Sequence, residues 1–394
     1  MKIVMPEKHY GLGDPAAFFD QKSDEGNEET LKTRQMQKKG KQKREPRTWG
    51  VIQAANLVGR TRAWMSGKHD TLSESGQGRF TLKRINELRE QASTLYRRPE
   101  GSEPFVIALS KLKGGVGNTT ACVHFAHYLA MMGLKILVVD MDYQSSATTV
   151  LGGFNPDIHL EDEDTPRDAL LHSLEDYPAT IRKTYFHNVF LAPCNSSLQD
   201  MEMELAQQLT RTVDQYPVDA EGNPVSPYDR LKVALEPIKH DFDVILIDCA
   251  PSLGMLTSNA LSAADCLINP LKPSGMDRAS YSMFNASLSS YYDAMPKSLR
   301  YFRLVLSQYR QSNATVREEL ILRNIYEDYV LTNVIMDNTE IKSAPSEMAT
   351  VYELEKPQSN KETYNRALKT LNGVFDEMLE DFKAIWEMEA EDNG

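Results

Sequence analysis

Lys111-Leu112-Lys113-Gly114-Gly115-Val116-Gly117-Asn118-Thr119-Thr120 is the stretch that decides how this chain folds. It follows the apolar run Phe105 to Leu109 and leads into a helical pattern (Val123, Phe125, Ala126, Leu129, Met132) that stops at Gly133. Strand, glycine-rich loop and helix, in that order, make a phosphate cradle. Glycines let backbone N–H groups close around phosphate oxygens, the helix N-terminus adds positive potential, and a hydroxyl is at hand for Mg²⁺. Against the pattern G-x-x-x-x-G-K-[ST], Gly117 and Thr119 fit. Leu112 and Asn118 stand at the first-glycine and lysine positions and do not.

Five more apolar runs alternate with helical segments: Ile136 to Asp140, Val189 to Ala192, Val244 to Asp248, Cys266 to Pro270 and Phe302 to Leu306. Runs that are apolar on both faces predict a buried, doubly wound, mainly parallel α/β sheet covered by helices. Two runs end on acids, in Val138-Val139-Asp140-Met141-Asp142 and in Ile245-Leu246-Ile247-Asp248-Cys249-Ala250-Pro251-Ser252. Ligands of open parallel sheets bind beyond the carboxyl ends of the strands, so loop and acids are expected to converge there. One such acid alone caps a following helix about as often as it functions; loop and acids in this order and spacing do not read as capping. Leu368, Leu371, Val374, Phe375, Leu379, Phe382 and Ile385 predict a C-terminal helix over Tyr364 to Trp386 that packs on the sheet.

The chain has 394 residues, enough for two or three domains, and its 41% hydrophobic and 25% charged content excludes wholesale disorder. No run approaches the roughly 18 apolar residues of a membrane span, and an apolar signal core is missing at the start. Cys122, Cys194, Cys249 and Cys266 lie far apart, which excludes a disulfide framework or an obvious zinc site and suits the cytoplasm. The net charge of -12 is uneven. Lys32 to Arg98 carries 17 Lys+Arg against 5 Asp+Glu, a local +12, leaving -24 for the rest. A basic segment on an acidic body points to an anionic partner, with nucleic acid first, although a charge run alone reads as a solvated face.

Residues 1–46 read as a polar arm or helix, suited to pairing with a second copy or touching phosphates. Residues 47–101 read as a small winged helix-turn-helix domain. Val51, Ile52, Ala54, Ala55, Leu57 and Val58 give a first helix and Gly59 a turn. Arg60-Thr61-Arg62-Ala63-Trp64-Met65 gives a second helix, Ser73 to Gly78 a wing tip, and Leu82, Ile85 and Leu88 a third helix. Arg60, Thr61 and Arg62 then lie where recognition helices meet base edges and phosphates. The competing reading is a helical hairpin that binds no DNA. Arg310, Arg317, Arg323 and Lys342 are DNA candidates by charge and C-terminal location only.

These residues resemble the ParA/MinD group of deviant Walker A ATPases, and the resemblance to ParA covers nearly the whole chain. It is carried by Lys-Gly-Gly-Val-Gly, by Val-Asp-Met-Asp-Tyr-Gln-Ser-Ser-Ala-Thr, by Ile-Asp-Cys-Ala-Pro-Ser and by Pro273-Ser274-Gly275-Met276-Asp277. The basic region through Phe80 to Arg89 looks like the N-terminal extension of the larger plasmid-type members, so 102–394 is the expected ATPase domain. The resemblance implies ATP/ADP and Mg²⁺ as ligands. It implies that Gly114, Gly115, Val116, Gly117, Asn118, Thr119 and Thr120 hold phosphates and that Lys113 reaches the nucleotide of a dimer partner. Thr119, Asp140 and Asp248 serve the metal, with Asp248 as Walker B residue, and Asp142 positions the attacking water. Tyr143 stands where relatives often have proline.

The resemblance further implies a cytoplasmic, nucleoid-associated homodimer that segregates plasmid or chromosomal DNA with a ParB-like centromere-binding partner. Its ATP form binds DNA non-specifically; its ADP form represses an operator through the helix-turn-helix. Asn118 departs from the group, whose members place a second lysine there. Three explanations stay open: a slow natural variant, a protein that binds nucleotide without turnover, or an engineered substitution. The rival function is a nucleotide-sensing transcriptional repressor. A MinD-like membrane role is disfavoured because the C-terminal helix is acidic and anionic lipid repels it.

Overall fold

The computed structural model describes residues 46–65, 78–111 and 114–393. Residues 1–45 of the expected polar arm, Ser73 to Gln77 of the expected wing tip, and Leu112 and Lys113 lie outside the described residues.

The N-terminal described segment begins with β1 (Thr48–Gly50), α1 (Val51–Val58) and α2 (Arg62–Met65), and continues with β2 (Arg79–Thr81) and α3 (Leu82–Gln91). Gly59 ends α1 in the left-handed region at φ +70°, where a Cβ is strained, and the Arg60 N–H donates to the Ala55 carbonyl at 3.0 Å. Because Gly59 and Arg60 complete that cap, the second helix starts at Arg62, two residues later than the sequence pattern suggests. β1 pairs antiparallel with β2 through Trp49↔Phe80, a ribbon that three-residue strands do not announce in the sequence. Trp49, Phe80, Ile85 and Leu88 are buried in the same core as Phe125 and Leu129.

Seven further strands form one sheet: β3 (Phe105–Leu109), β4 (Ile136–Met141), β5 (Arg182–Lys183), β6 (Val189–Ala192), β7 (Val244–Cys249), β8 (Cys266–Leu271) and β9 (Tyr301–Leu306). Their order is β5-β6-β4-β7-β3-β8-β9, and every pairing is parallel except that of β5 with β6. The six predicted runs match β3, β4, β6, β7, β8 and β9 to within a residue at each end. The pleat divides each strand between two cores. Phe105, Ile107 and Leu109 face one, Val106 and Ala108 the other.

Helix α4 (Asn118–Met132) packs on the first face beside the 33-residue α5 (Lys361–Asn393), which extends the predicted C-terminal helix at both ends. Phe382 stacks on Phe105 at 4.3 Å between centroids and Phe375 meets Phe125 at 5.0 Å. Each such ring, removed from water, contributes about 1.5–3 kcal/mol. Arg89 of α3 is buried beneath this layer. It donates to the carbonyls of Leu57 (2.7 Å) and Met131 (2.6 Å), tying the N-terminal segment to the last turn of α4.

Candidate nucleotide site

The chain leaves β3 towards β4 on one side and leaves β7 towards β8 on the other, although β3 and β7 are neighbours. Connections that diverge in this way open a crevice at the strand ends. Gly114 to Gly117 and Asp248 flank it. Gly115 and Gly117 adopt φ of +81° and +88°, the left-handed region that favours glycine. A Cβ at Gly115 would meet nothing within 4 Å, so the loop needs glycine there for backbone shape and not for room. Gly117 precedes α4, and its carbonyl accepts the first helical bond from Ala121 at 2.8 Å. A helix of fifteen residues thus directs its N-terminus at the crevice.

Asn118 is fully buried. Its Nδ2 donates to the Leu109 carbonyl at 2.8 Å and to Asp248 Oδ1 at 2.9 Å, while Oδ1 has no partner among the described residues. The side chain therefore points down into the strand ends. Thr119 and Thr120 are partly exposed in the first turn of α4.

Asp140 and Asp248 face each other across the β4–β7 pairing, and both are fully buried. Thr148 holds Asp140 Oδ2 with its N–H and its hydroxyl, both at 2.8 Å. Asp142 donates its N–H to Asp140 Oδ1 at 3.3 Å and accepts from the Gln144 N–H at 3.0 Å. Burial pushes the Asp140 carboxyl up to about 6. Burial, followed by the charge of Asp140, pushes Asp248 up to about 8, with the nearby Thr119 hydroxyl opposing the shift. Two carboxyls this reluctant to ionise are a place where a cation is welcome. Among the described residues, no three His, Cys, Asp or Glu side chains converge on one metal position.

The structure thus brings Gly114, Gly115, Val116, Gly117, Asn118, Thr119, Thr120, Asp140, Asp142 and Asp248 to one end of the sheet. Sequence reasoning missed three supports. Thr148 anchors Asp140; its signal was its place eight residues on, at the start of the next helix. Ser307 donates to the Val116 carbonyl at 2.6 Å, and Gln308 Nε2 donates to the Gly115 carbonyl, so the residues after β9 brace the loop. Their signal was a polar pair directly after a buried strand.

Arg60, Thr61 and Arg62 are exposed. The Arg60 guanidinium caps the end of α3 by donating to the Ala92 carbonyl, and Thr61 Oγ1 accepts from the Trp64 N–H at 3.3 Å. Three of the four C-terminal cations are in ion pairs: Arg310 and Lys342 with Asp337, and Arg323 with Glu319. Among the described residues no helix is long and apolar enough to cross a membrane.

A glycine loop at a helix N-terminus, opposite carboxylates on the neighbouring strand ends of a parallel sheet, defines a P-loop type of nucleotide-dependent ATPase. Residues 105–300 match the family model described as AAA domain. Protein SopA of Escherichia coli strain K12 is 30% identical over 364 residues, covering 87% of this chain and 90% of SopA. The chain belongs to the SopA/ParA family of partition ATPases. A solved structure described as a partition protein has the same fold, with a TM-score of 0.61 at 19% identity over 91% of this chain and 99% of that one. Cobyrinic acid a,c-diamide synthase from Mycobacterium smegmatis, solved with ADP and magnesium, aligns with a TM-score of 0.51 at 28% identity, covering 62% of this chain and 91% of that one.

Proposed function

We propose that this protein is a DNA-partition ATPase working as an ATP-dependent dimer with Mg²⁺. The observation that carries the reading is the meeting of the Gly115–Gly117 loop and the α4 N-terminus with Asp140, Asp142 and Asp248 in one crevice. Backbone N–H groups of Gly114 to Thr120 hold the phosphates. The Thr119 hydroxyl and Asp248 hold the metal, and Asp140 keeps the second carboxylate of that shell in place. Mg²⁺, when bound, neutralises charge on the β- and γ-phosphates. Asp142 orients the attacking water, and Lys113 of the partner subunit supplies charge to the transferring phosphoryl group.

The DNA half of the proposal rests on the local +12 and on exposed Arg60, Thr61 and Arg62. The ATP dimer binds nucleoid DNA without sequence preference. The ADP form holds an operator through the N-terminal helices, and a ParB-like partner releases the ATP dimer by stimulating hydrolysis. Titration with MgATP and MgADP tests the first half, and absence of binding at millimolar nucleotide defeats it. DNA retention across a salt series tests the second, since phosphate contacts weaken steeply with salt.

The second reading is a repressor that senses nucleotide without turning it over. The inward-facing, uncharged Asn118 favours it. ATP turnover with DNA and partner present separates the two.

A further inference from the structure

Asn118 leaves a gap in the charge balance of the proposed site. Its amide nitrogen is spent on Leu109 and Asp248, it carries no charge, and it is fully buried. Nucleoside triphosphate, meanwhile, brings several negative charges to a place that already holds three acidic side chains. Beside Mg²⁺ and the lysine proposed to come from the partner subunit, position 118 supplies no cation from the chain's own phosphate loop.

The geometry points to Lys111 as that cation: a phosphate-binding residue displaced from helix α4 to the end of strand β3. The inference rests on the nucleotide reading above. Leu109 is the register partner of Asp248, and Lys111 follows it by two residues, so its backbone emerges beside the Walker B position. Ser110 is fixed there, its N–H donating to the Ile268 carbonyl at 3.3 Å and its carbonyl accepting from Asn269 at 2.7 Å. Lys111 is half-buried and lines a small recess with Val116 of the phosphate loop, Asn269 and Asp277. Among the described residues its ammonium forms no ion pair. An ammonium on a flexible four-carbon stem, anchored just after β3, has the length to swing from this recess towards phosphates bound at the loop.

The test is a double-variant cycle on the full chain, read by calorimetric titration with MgATP and MgADP. Losing a charge-assisted contact predicts that Lys111→Gln weakens MgATP by roughly 10- to 100-fold in the parent. In the Asn118→Lys background the same change is expected to cost less than about threefold, because the charge is then supplied twice. Lys111→Arg is expected to stay within about threefold of the parent. Melting of each nucleotide-free variant is measured first, and Lys111→Met serves as a second neutral variant if Lys111→Gln is unfolded. Parental affinity in a folded neutral variant, or an equal loss in both backgrounds, overturns the assignment and leaves the nucleotide reading standing. Failure of parent and variants alike to bind nucleotide removes both.

Discussion

Asn118 donates its side-chain amide to Asp248 at 2.9 Å, joining the residue at the lysine position of the phosphate loop to the acid at the end of β7. The same nitrogen holds the Leu109 carbonyl, so one carboxamide staples β3, β7 and the start of α4 together. A lysine at this position carries its ammonium on a longer stem, which can extend past these acceptors along the loop. Asn118→Lys is therefore expected to raise MgATP turnover by about tenfold or more, the worth of one charge-assisted contact made in the transition state. Phosphate release with DNA present measures it. Equal, near-zero rates would mean that the catalytic geometry is lost elsewhere, and the repressor reading would then lead.

Asp248 carries the second prediction. In the nucleotide-free protein its carboxyl is buried, opposed by Asp140, and its Oδ2 has no partner of normal geometry among the described residues. Asp248→Asn keeps the oxygen that Asn118 needs and removes the cost of holding an ionisable carboxyl in a buried site. It is expected to stabilise the nucleotide-free protein by about 1–3 kcal/mol while abolishing Mg²⁺-dependent turnover. Calorimetric melting beside a turnover assay checks both, and a lower melting temperature would contradict the charge argument.

Much of this was legible in the sequence because a buried parallel strand leaves a plain mark. Val244 to Asp248 has to be apolar on both faces, and the acid that ends it stands out. The loop was legible because Gly115 and Gly117 meet a backbone demand that few other residues satisfy. The braces were not. Ser307 and Gln308 lie almost two hundred residues from the loop they support, and nothing local in Leu306-Ser307-Gln308 distinguishes a brace from a solvated turn. Nor was the direction of Asn118 legible, since its partner Asp248 is 130 positions away.

Arg89 carries the third prediction. Its guanidinium is buried, and burial lowers its pKa to about 10, yet it joins Leu57 of α1 to Met131 of α4. Arg89→Ala removes the donor from two part-buried carbonyls and empties a buried side-chain site, which is expected to cost about 2–4 kcal/mol. Arg89→Lys is expected to recover less than half, because an ammonium cannot span both carbonyls as a planar fork does. Denaturant unfolding measures both. A loss within ±0.5 kcal/mol for Arg89→Ala would mean that the N-terminal helices dock without this contact.

His124 carries the last. It lies in α4, where Nε2 accepts from the Val351 N–H at 3.1 Å, so Nδ1 bears the proton and donates to the Thr120 carbonyl at 2.7 Å. The ring is buried and neutral, and burial lowers its pKa to about 4. Between the unfolded value near 6.5 and that figure, the unfolded chain binds a proton that the native protein refuses, so stability falls as pH falls through this window. The expected loss is about 3 kcal/mol by pH 4. Asp140 and Asp248 act in the opposite sense over the same range, because their raised pKa values let the native state hold protons that the unfolded chain has released. The parent curve alone therefore mixes the two effects. Urea unfolding of the parent and of His124→Gln from pH 7.5 to 4.5 isolates the histidine: the variant curve is expected to fall less steeply below pH 6.5. Parallel curves would mean that the ring is protonated in the native protein, with the Val351 N–H turned away.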